Sequence, residues 1–245
     1  MRWSDSTFRE LEAGLVANAV AILPLGAVEA HGPHLPVGTD VWIAEAMARE
    51  GARRLDLRGV RAAVLPAIAY APAPFADGFA GTLSIRPETL AAMIEDLAAA
   101  LLRRGLATLV LASSHFDPAQ VLSLRGVVER LGRSQALRVV FPDLTRRALA
   151  ARLGDEFASG ACHAGRYETS ILLAERPDLV NRLAAQALLE LPVALPAAAA
   201  AGESSFEAAG MPDAYCGDPA RASAAEGREL VAKLGEILAE AVTSG

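Results

Sequence analysis

Apolar and polar positions along this chain follow two rhythms, and the switches between them predict the elements. Residues 19–25 and 108–112 are short, continuously apolar runs of the kind that makes a strand buried on both faces. A third run, 60–68, is interrupted at Pro66, and a fourth, 138–141, is brief. Between these runs the apolar residues recur at helical spacing. Phe8, Leu11 and Leu15 mark a helix over 7–17 with Ser6 as its cap, and Ile43, Ala46 and Met47 mark 41–55 with Asp40 at the N-cap. Leu90, Met93, Ile94, Leu97 and Leu101 mark 87–104, started by Pro87 and stopped by Gly105. Residues 119–131, a stretch from Pro142-Asp143 to Leu153, 166–175 and 226–241 repeat the helical pattern. Strands alternating with such helices predict a three-layer α/β/α sandwich with a mainly parallel central sheet, in a single domain over 1–245.

Two connections stand out. The loop 69–82 contains Pro72, Pro74 and Gly78 but also Tyr70, Phe75 and Phe79. A loop of that length is functional or disordered, and its aromatics favour the wall of a pocket. Residues 193–214 are rich in Ala, Gly, Pro and Ser and lack periodicity, which predicts a flexible excursion over one face.

Composition narrows the class. Apolar residues make up 53% of the chain but aromatics only 5%, with Ala and Leu dominant, which suits helices packed on a sheet better than an all-β sandwich. A formal charge of -6 argues against a nucleic-acid partner, which calls for a clustered basic face. The amino-terminal residues lack the apolar core of a signal peptide, and the Ala-rich stretch 191–201 is broken by Pro192 and Pro196, far short of the ~20 apolar residues that span a bilayer. With 2 cysteines, Cys162 and Cys216, a disulfide framework has little basis, and a reduced, cytoplasmic setting without membrane contact is the expectation.

The candidate chemistry lies in the loops that follow the strands. Directly after 19–25 come Glu29, His31, His34 and Asp40, with Gly32, Pro33 and Pro36 restraining the backbone among them. The run 108–112 leads in the same way into Ser113-Ser114-His115-Phe116-Asp117-Pro118. All 4 histidines, with His163 the last, fall in such loops, and none sits on an apolar stripe. Glu29, His31, Asp40, His115 and Asp117 offer oxygen and imidazole donors without a thiolate, a mixture suited to Zn, Mn or Fe(II). That set exceeds what one tetrahedral ion takes, so two divalent ions sharing a bridging carboxylate are expected, with Asp40 the best bridge because a helix N-terminus keeps it ionised.

At this point the chain resembles the creatininase (creatinine amidohydrolase) family. The resemblance rests on Glu29-x-His31-Gly32-Pro33-His34-Leu35-Pro36 with Gly38-Thr39-Asp40, on Gly81-Thr82-Leu83-Ser84, on His163-Ala164-Gly165-x-x-Glu168-Thr169-Ser170, and on Gly217-Asp218-Pro219. It implies a creatininase-like α/β/α fold and a dinuclear centre that hydrolyses C–N bonds of amides, often cyclic ones, in a homo-oligomer that is commonly a hexamer. Carried over by position, Glu29 and His31 resemble ligands to different ions, Asp40 the bridge and His115 a ligand to the first ion. Asp117 matches in spacing a carboxylate that ligates the second ion, and Glu168 resembles an active-site carboxylate, either ligand or outer-shell base. His163 or Glu168 is then expected to deliver a proton to the departing nitrogen.

Departures matter as well. Many members carry Asn-Gly-His-Gly-Gly-Asn where this chain has the segment around His115, and Cys162 stands where creatininase proper has a glutamate. The expectation is therefore an amidohydrolase acting on a small-molecule amide, with creatinine itself unsupported. The alternatives are a metal-dependent peptidase similar to the mycofactocin-precursor peptidase, and a metal-binding homologue without catalysis. His34 is expected behind the ligands, and Cys162 as a small packed residue rather than a nucleophile.

Overall fold

The computed structural model describes residues 1–14, 19–133 and 137–244. The apolar runs become β1 (Val20–Leu25), β2 (Ala62–Val64), β3 (Thr108–Ser113) and β4 (Arg138–Val140). They pair in the order β2-β1-β3-β4, parallel throughout, with Val20 opposite both Ala62 and Thr108, and Leu25 opposite Ser113. The helices are α1 (Phe8–Gly14), α2 (Thr39–Leu57), α3 (Pro87–Arg103), α4 (Pro118–Arg133), α5 (Arg147–Ala150), α6 (Asp155–Ser159), α7 (Arg166–Glu175), α8 (Arg182–Ala187), α9 (Leu195–Ala200) and α10 (Ala224–Thr243).

Because successive strand residues face opposite ways, the two central strands feed two cores. Val20, Ile22, Val110 and Ala112 pack with residues of α2, α7 and α10. Ala21, Leu23, Leu109 and Leu111 pack with residues of α3 and α4 on the other side. The predicted three layers follow directly. The α7–α10 contact is close enough that a Cβ at Gly227 would stand 1.9 Å from the Ser170 carbonyl oxygen, so only glycine fits there.

Topology places the site. The crossover through α2 carries the chain from β1 to one edge, whereas α4 carries it from β3 to the other. Parallel crossovers are right-handed, so opposite directions put α2 and α4 on opposite faces. The chain therefore leaves β1 and β3 in diverging directions, which opens a crevice at their carboxyl ends where α/β proteins bind ligands.

Several expected boundaries shift, each for a local reason. The first helix is capped by Thr7, not Ser6: the Thr7 N–H and hydroxyl donate to the Glu10 carboxylate at 2.7 and 2.8 Å, and the Glu10 N–H returns to the hydroxyl at 3.3 Å, a capping box. The Ser6 hydroxyl turns back to the Arg2 carbonyl, and residues 15–17 of that expected helix lie outside the described residues. The strand expected over 60–68 contracts to β2, after which the chain rejoins the sheet in a single bridge at Ile68. The helix expected after Pro142-Asp143 contracts to α5, because the Asp143 carboxylate holds a turn through Thr145, Arg125 and Arg146 instead. Segment 193–214 is no loose excursion: it contains α9 and returns Phe206, Met211 and Ala214 into a third core with Phe75, Ala76 and Cys216.

Candidate metal centre

The loop after β1 is held against the start of α2. A Cβ on Gly26 would meet the Val41 backbone nitrogen at 2.5 Å, so glycine alone permits this approach. The loop closes through the Glu29 N–H on the Val37 carbonyl at 2.9 Å. The Ala30 N–H donates to Thr82 Oγ1 at 3.1 Å and the Leu83 N–H to the Val28 carbonyl, so the Gly81-Thr82-Leu83-Ser84 segment is a buttress. From β3, the Ser114 hydroxyl donates to the Asp40 carbonyl at 2.5 Å and ties the two halves together. The helix begins after Gly38, so Asp40 lies inside its first turn rather than at the N-cap expected from the sequence, and its carboxylate points inward.

Glu29, His31, Asp40, His115 and Glu168 converge with 1–2% exposure each. His31 Nε2 lies 3.3 Å from Asp40 Oδ1 and 3.4 Å from Glu168 Oε2. His115 Nδ1 lies 3.1 Å from Asp40 Oδ2 and 3.2 Å from Glu29 Oε1. His163 Nδ1 is 3.6 Å from Glu29 Oε1. Three donor groups result: Glu29 with Asp40 and His115; His31 with Asp40 and Glu168; and Glu29 with His31 and His163. Asp40 turns one oxygen to each of the first two, the pattern of a bridging carboxylate.

The outer ring nitrogens fix the tautomers. His31 Nδ1 faces the Glu29 carbonyl at 3.1 Å, His115 Nε2 the Pro72 carbonyl at 2.9 Å, and His163 Nε2 the Ala30 carbonyl at 2.9 Å. A carbonyl only accepts, so each of these nitrogens carries hydrogen, and the inner nitrogen either holds a proton or, once that proton is displaced, offers its lone pair to a metal ion. Lone pairs facing carboxylates repel unless a cation lies between them. Glu29 Oε2, Asp40 Oδ2 and His31 Nε2 are buried without a hydrogen-bond partner, and each such atom costs about 1–3 kcal/mol. The donor set and these orphaned atoms fit a divalent ion.

The electrostatics agree. Burial pushes the His31 imidazole down, but Asp40, Glu168 and Glu29 outweigh it and hold its pKa at about 10. Burial also lowers the His115 imidazole, and Glu29 with Asp40 reverses this, well above the usual value. Burial raises Glu168 to about 8, with Asp40 and Glu29 adding to the effect against the lowering by His31. The carboxylates thus make a strongly cation-seeking hollow in which protons and metal ions compete for the same lone pairs. His163, by contrast, is driven well below its ordinary value by burial and by His31. Its ring lies between those of His31 and Phe206, at centroid distances of 4.4 and 4.3 Å.

Two sequence candidates are placed differently from their neighbours. Asp117 stands outside all three groups: its Oδ1 accepts from the Ala119 N–H at 2.8 Å and its Oδ2 from the Phe75 N–H at 3.2 Å, at the start of α4. His34 sits behind the ligands, with Nε2 at 2.9 Å from Thr169 Oγ1, so it braces the helix turn that presents Glu168. Burial and then His31 lower its pKa to about 4. Cys162 is a buried thiol that burial pushes well above its ordinary pKa, in keeping with a packed residue.

Above the centre opens a cleft of about 870 Å³. Phe75 from the loop 69–82 forms part of its wall, whereas Tyr70 is 51% exposed and Phe79 packs against Phe206 with the rings tilted by 55°. Phe206 and α9 close another side. No motif or periodicity points to the contributions of α4, α5 and α6, among them Arg125 and Arg147.

Fold and site together define a metal-dependent enzyme of the doubly wound α/β class. The chain belongs to the creatininase family, metal-dependent amidohydrolases acting on C–N bonds, whose model, described as creatinine amidohydrolase, matches residues 4–242. It is 35% identical over 222 residues to the mycofactocin precursor peptide peptidase of Mycobacterium ulcerans (strain Agy99), covering 87% of this chain and 80% of that one. It is 31% identical over 195 residues to the creatinine amidohydrolase of Pseudomonas putida, covering 72% of each. A solved creatinine amidohydrolase superposes with a TM-score of 0.77 at 25% identity, over 99% of this chain and 96% of the other. A structure described as "Creatininase Mn" superposes with a TM-score of 0.76 at 24% identity, over 99% and 97%. The resemblance drawn from the motifs is thereby borne out. Among the described residues no helix is long and apolar enough to cross a membrane.

Proposed function

We propose that this protein hydrolyses the C–N bond of an amide at a centre of two divalent ions, zinc, manganese or iron. Glu29, Asp40 and His115 would hold one ion, and His31, Asp40 and Glu168 the other. The observation that carries this reading is the set of inward lone pairs facing partnerless carboxylate oxygens, with Asp40 divided between two groups. When bound, such ions supply Lewis acidity to the scissile carbonyl and to the attacking water.

The rest is the work of the chain. His163 keeps its Nε2 hydrogen on the Ala30 carbonyl, leaving Nδ1 free to take a proton from the water and pass it to the departing nitrogen. That transfer matters because an amine leaves poorly unless protonated. Phe206 covers one face of the imidazole and keeps bulk water from it. Asp117 holds the Phe75 and Ala119 N–H groups and stands outside the three donor groups, so its part in this scheme is to fix the cleft wall beside His115.

A small-molecule amide suits the chemistry, but a peptide is favoured on one count, since a cleft of about 870 Å³ is far larger than a cyclic amide fills. A single creatininase-like domain, assembled as a homo-oligomer in a reducing cytoplasm, completes the proposal. A screen of cyclic amides, formamides, lactones and short peptides with the zinc- and manganese-loaded protein tests it. Metal-dependent release of amine from at least one amide class is expected. Inertness toward every amide and peptide, or turnover that survives loss of both ions, would overturn it.

A further inference from the structure

The cleft does not end at the metal-binding floor. Pro118, Val121, Leu122 and Arg125 of α4 all line it, and that spacing puts them on one face of the helix. At 1.5 Å per residue this face leads the cleft about 10 Å away from the His115 loop. Its sides there are apolar, formed by Leu122, Phe157, Leu195 and Pro196, and its outer end is formed by Arg125, Thr145 and Arg147.

The charges at that outer end do not balance. Arg125 donates through Nε and Nη2 to Asp143 Oδ2 at 2.9 and 2.7 Å, and Arg146 Nε reaches the same oxygen at 3.0 Å. The Thr145 hydroxyl and N–H take the other oxygen at 2.5 and 3.2 Å, so both oxygens of this carboxylate are engaged and the turn leading into Arg147 is rigid. Arg147 itself is exposed and has no ion-pair partner among the described residues. An unmatched guanidinium therefore stands at the mouth of an apolar cleft in a chain of formal charge -6. Its fork of N–H donors matches a carboxylate. The separation of about 10 Å equals about three residues of extended chain at ~3.4 Å each.

We propose that Arg147, seated beside Arg125 on the Asp143 turn, is a specificity-determining residue that binds the terminal carboxylate of a linear amide with an apolar body. That carboxylate lies at the far end of the α4 face, about 10 Å along the helix from the His115 loop. The meaning of this subsite rests on hydrolysis at the floor, but its test does not, because binding reads it directly.

The test is calorimetric titration of the zinc-loaded protein with a chemical ruler: N-acetyl ω-amino acids from N-acetylglycine to N-acetyl-8-aminooctanoic acid, each as free acid and as primary amide. The longest acid should bind about ten-fold or more tightly than its amide, as a charge-assisted pair allows, and the preference should grow with length. Arg147→Ala should erase the preference and Arg147→Lys keep part of it, with melting temperatures unchanged because the side chain is exposed. Equal binding of acid and amide at every length, or no binding of any acid, overturns the proposal. So does an acid preference that survives in Arg147→Ala, which would put the carboxylate on the metal ions. If the preference holds while no amide is ever hydrolysed, the reading of the floor fails and this one stands.

Discussion

The units β1–α2 and β3–α4 have one grammar: strand, polar loop with an imidazole and an aspartate, helix. They use their aspartates differently. Asp40 stands inside the first turn of its helix, after Gly38 has taken the cap position, and its carboxylate is free to face His31 and His115. Asp117 stands immediately before Pro118, and its oxygens hold the Ala119 and Phe75 N–H groups. A helix start demands acceptors for its unpaired N–H groups. Moving a carboxylate by a residue or two relative to that start decides whether it serves the backbone or stays free to face the imidazoles.

The comparison predicts a steep gradient of effects. Asp40→Ala should lower metal-dependent turnover by at least about 10³-fold, since its carboxylate is shared by both groups of ligands; steady-state kinetics in excess zinc and manganese checks this. Gly26→Ala forces a methyl group into the Val41 backbone and should cost about 3 kcal/mol in chemical denaturation, a large value for a single methyl. Chelation of the native protein should lower the melting temperature by about 5–10 °C for each ion removed. Ions present at ~100-fold over their Kd stabilise by ~2.7 kcal/mol, and each kcal/mol is worth ~2–4 °C in a chain this long; addition of zinc should restore the loss. Asp117→Ala removes only a cap and a tether, for about 1 kcal/mol, and Asp117→Asn should recover most of it, as differential scanning calorimetry would show. An Asp117→Ala protein that melts normally but loses an ion would erase the distinction between the two units.

The sequence made the floor of the site legible because its residues are local and chemically unmixed. Glu29, His31 and Asp40 follow one buried strand and His115 follows the next, at the ends where parallel sheets place ligands. Glu168 was visible only through its Glu-Thr-Ser motif, since a glutamate in the first turn of a helix otherwise reads as a dipole partner. Asp117 has the residue type and spacing of a ligand and also those of a cap, because caps and metal ligands draw on the same residue types. The outer cleft was not legible at all. Arg125, Thr145 and Arg147 meet through a turn on Asp143 that no periodicity records, and α9 and Phe206 are folded back by a few buried apolar anchors within a run that composition describes as loop.

The division of labour between the two aspartates is tested most directly by elemental analysis of purified protein reconstituted with zinc or manganese and freed of excess metal. The wild-type chain and Asp117→Ala should each retain two ions per chain, and Asp40→Ala close to none. Two ions retained by Asp40→Ala, or one lost from Asp117→Ala, would contradict the account.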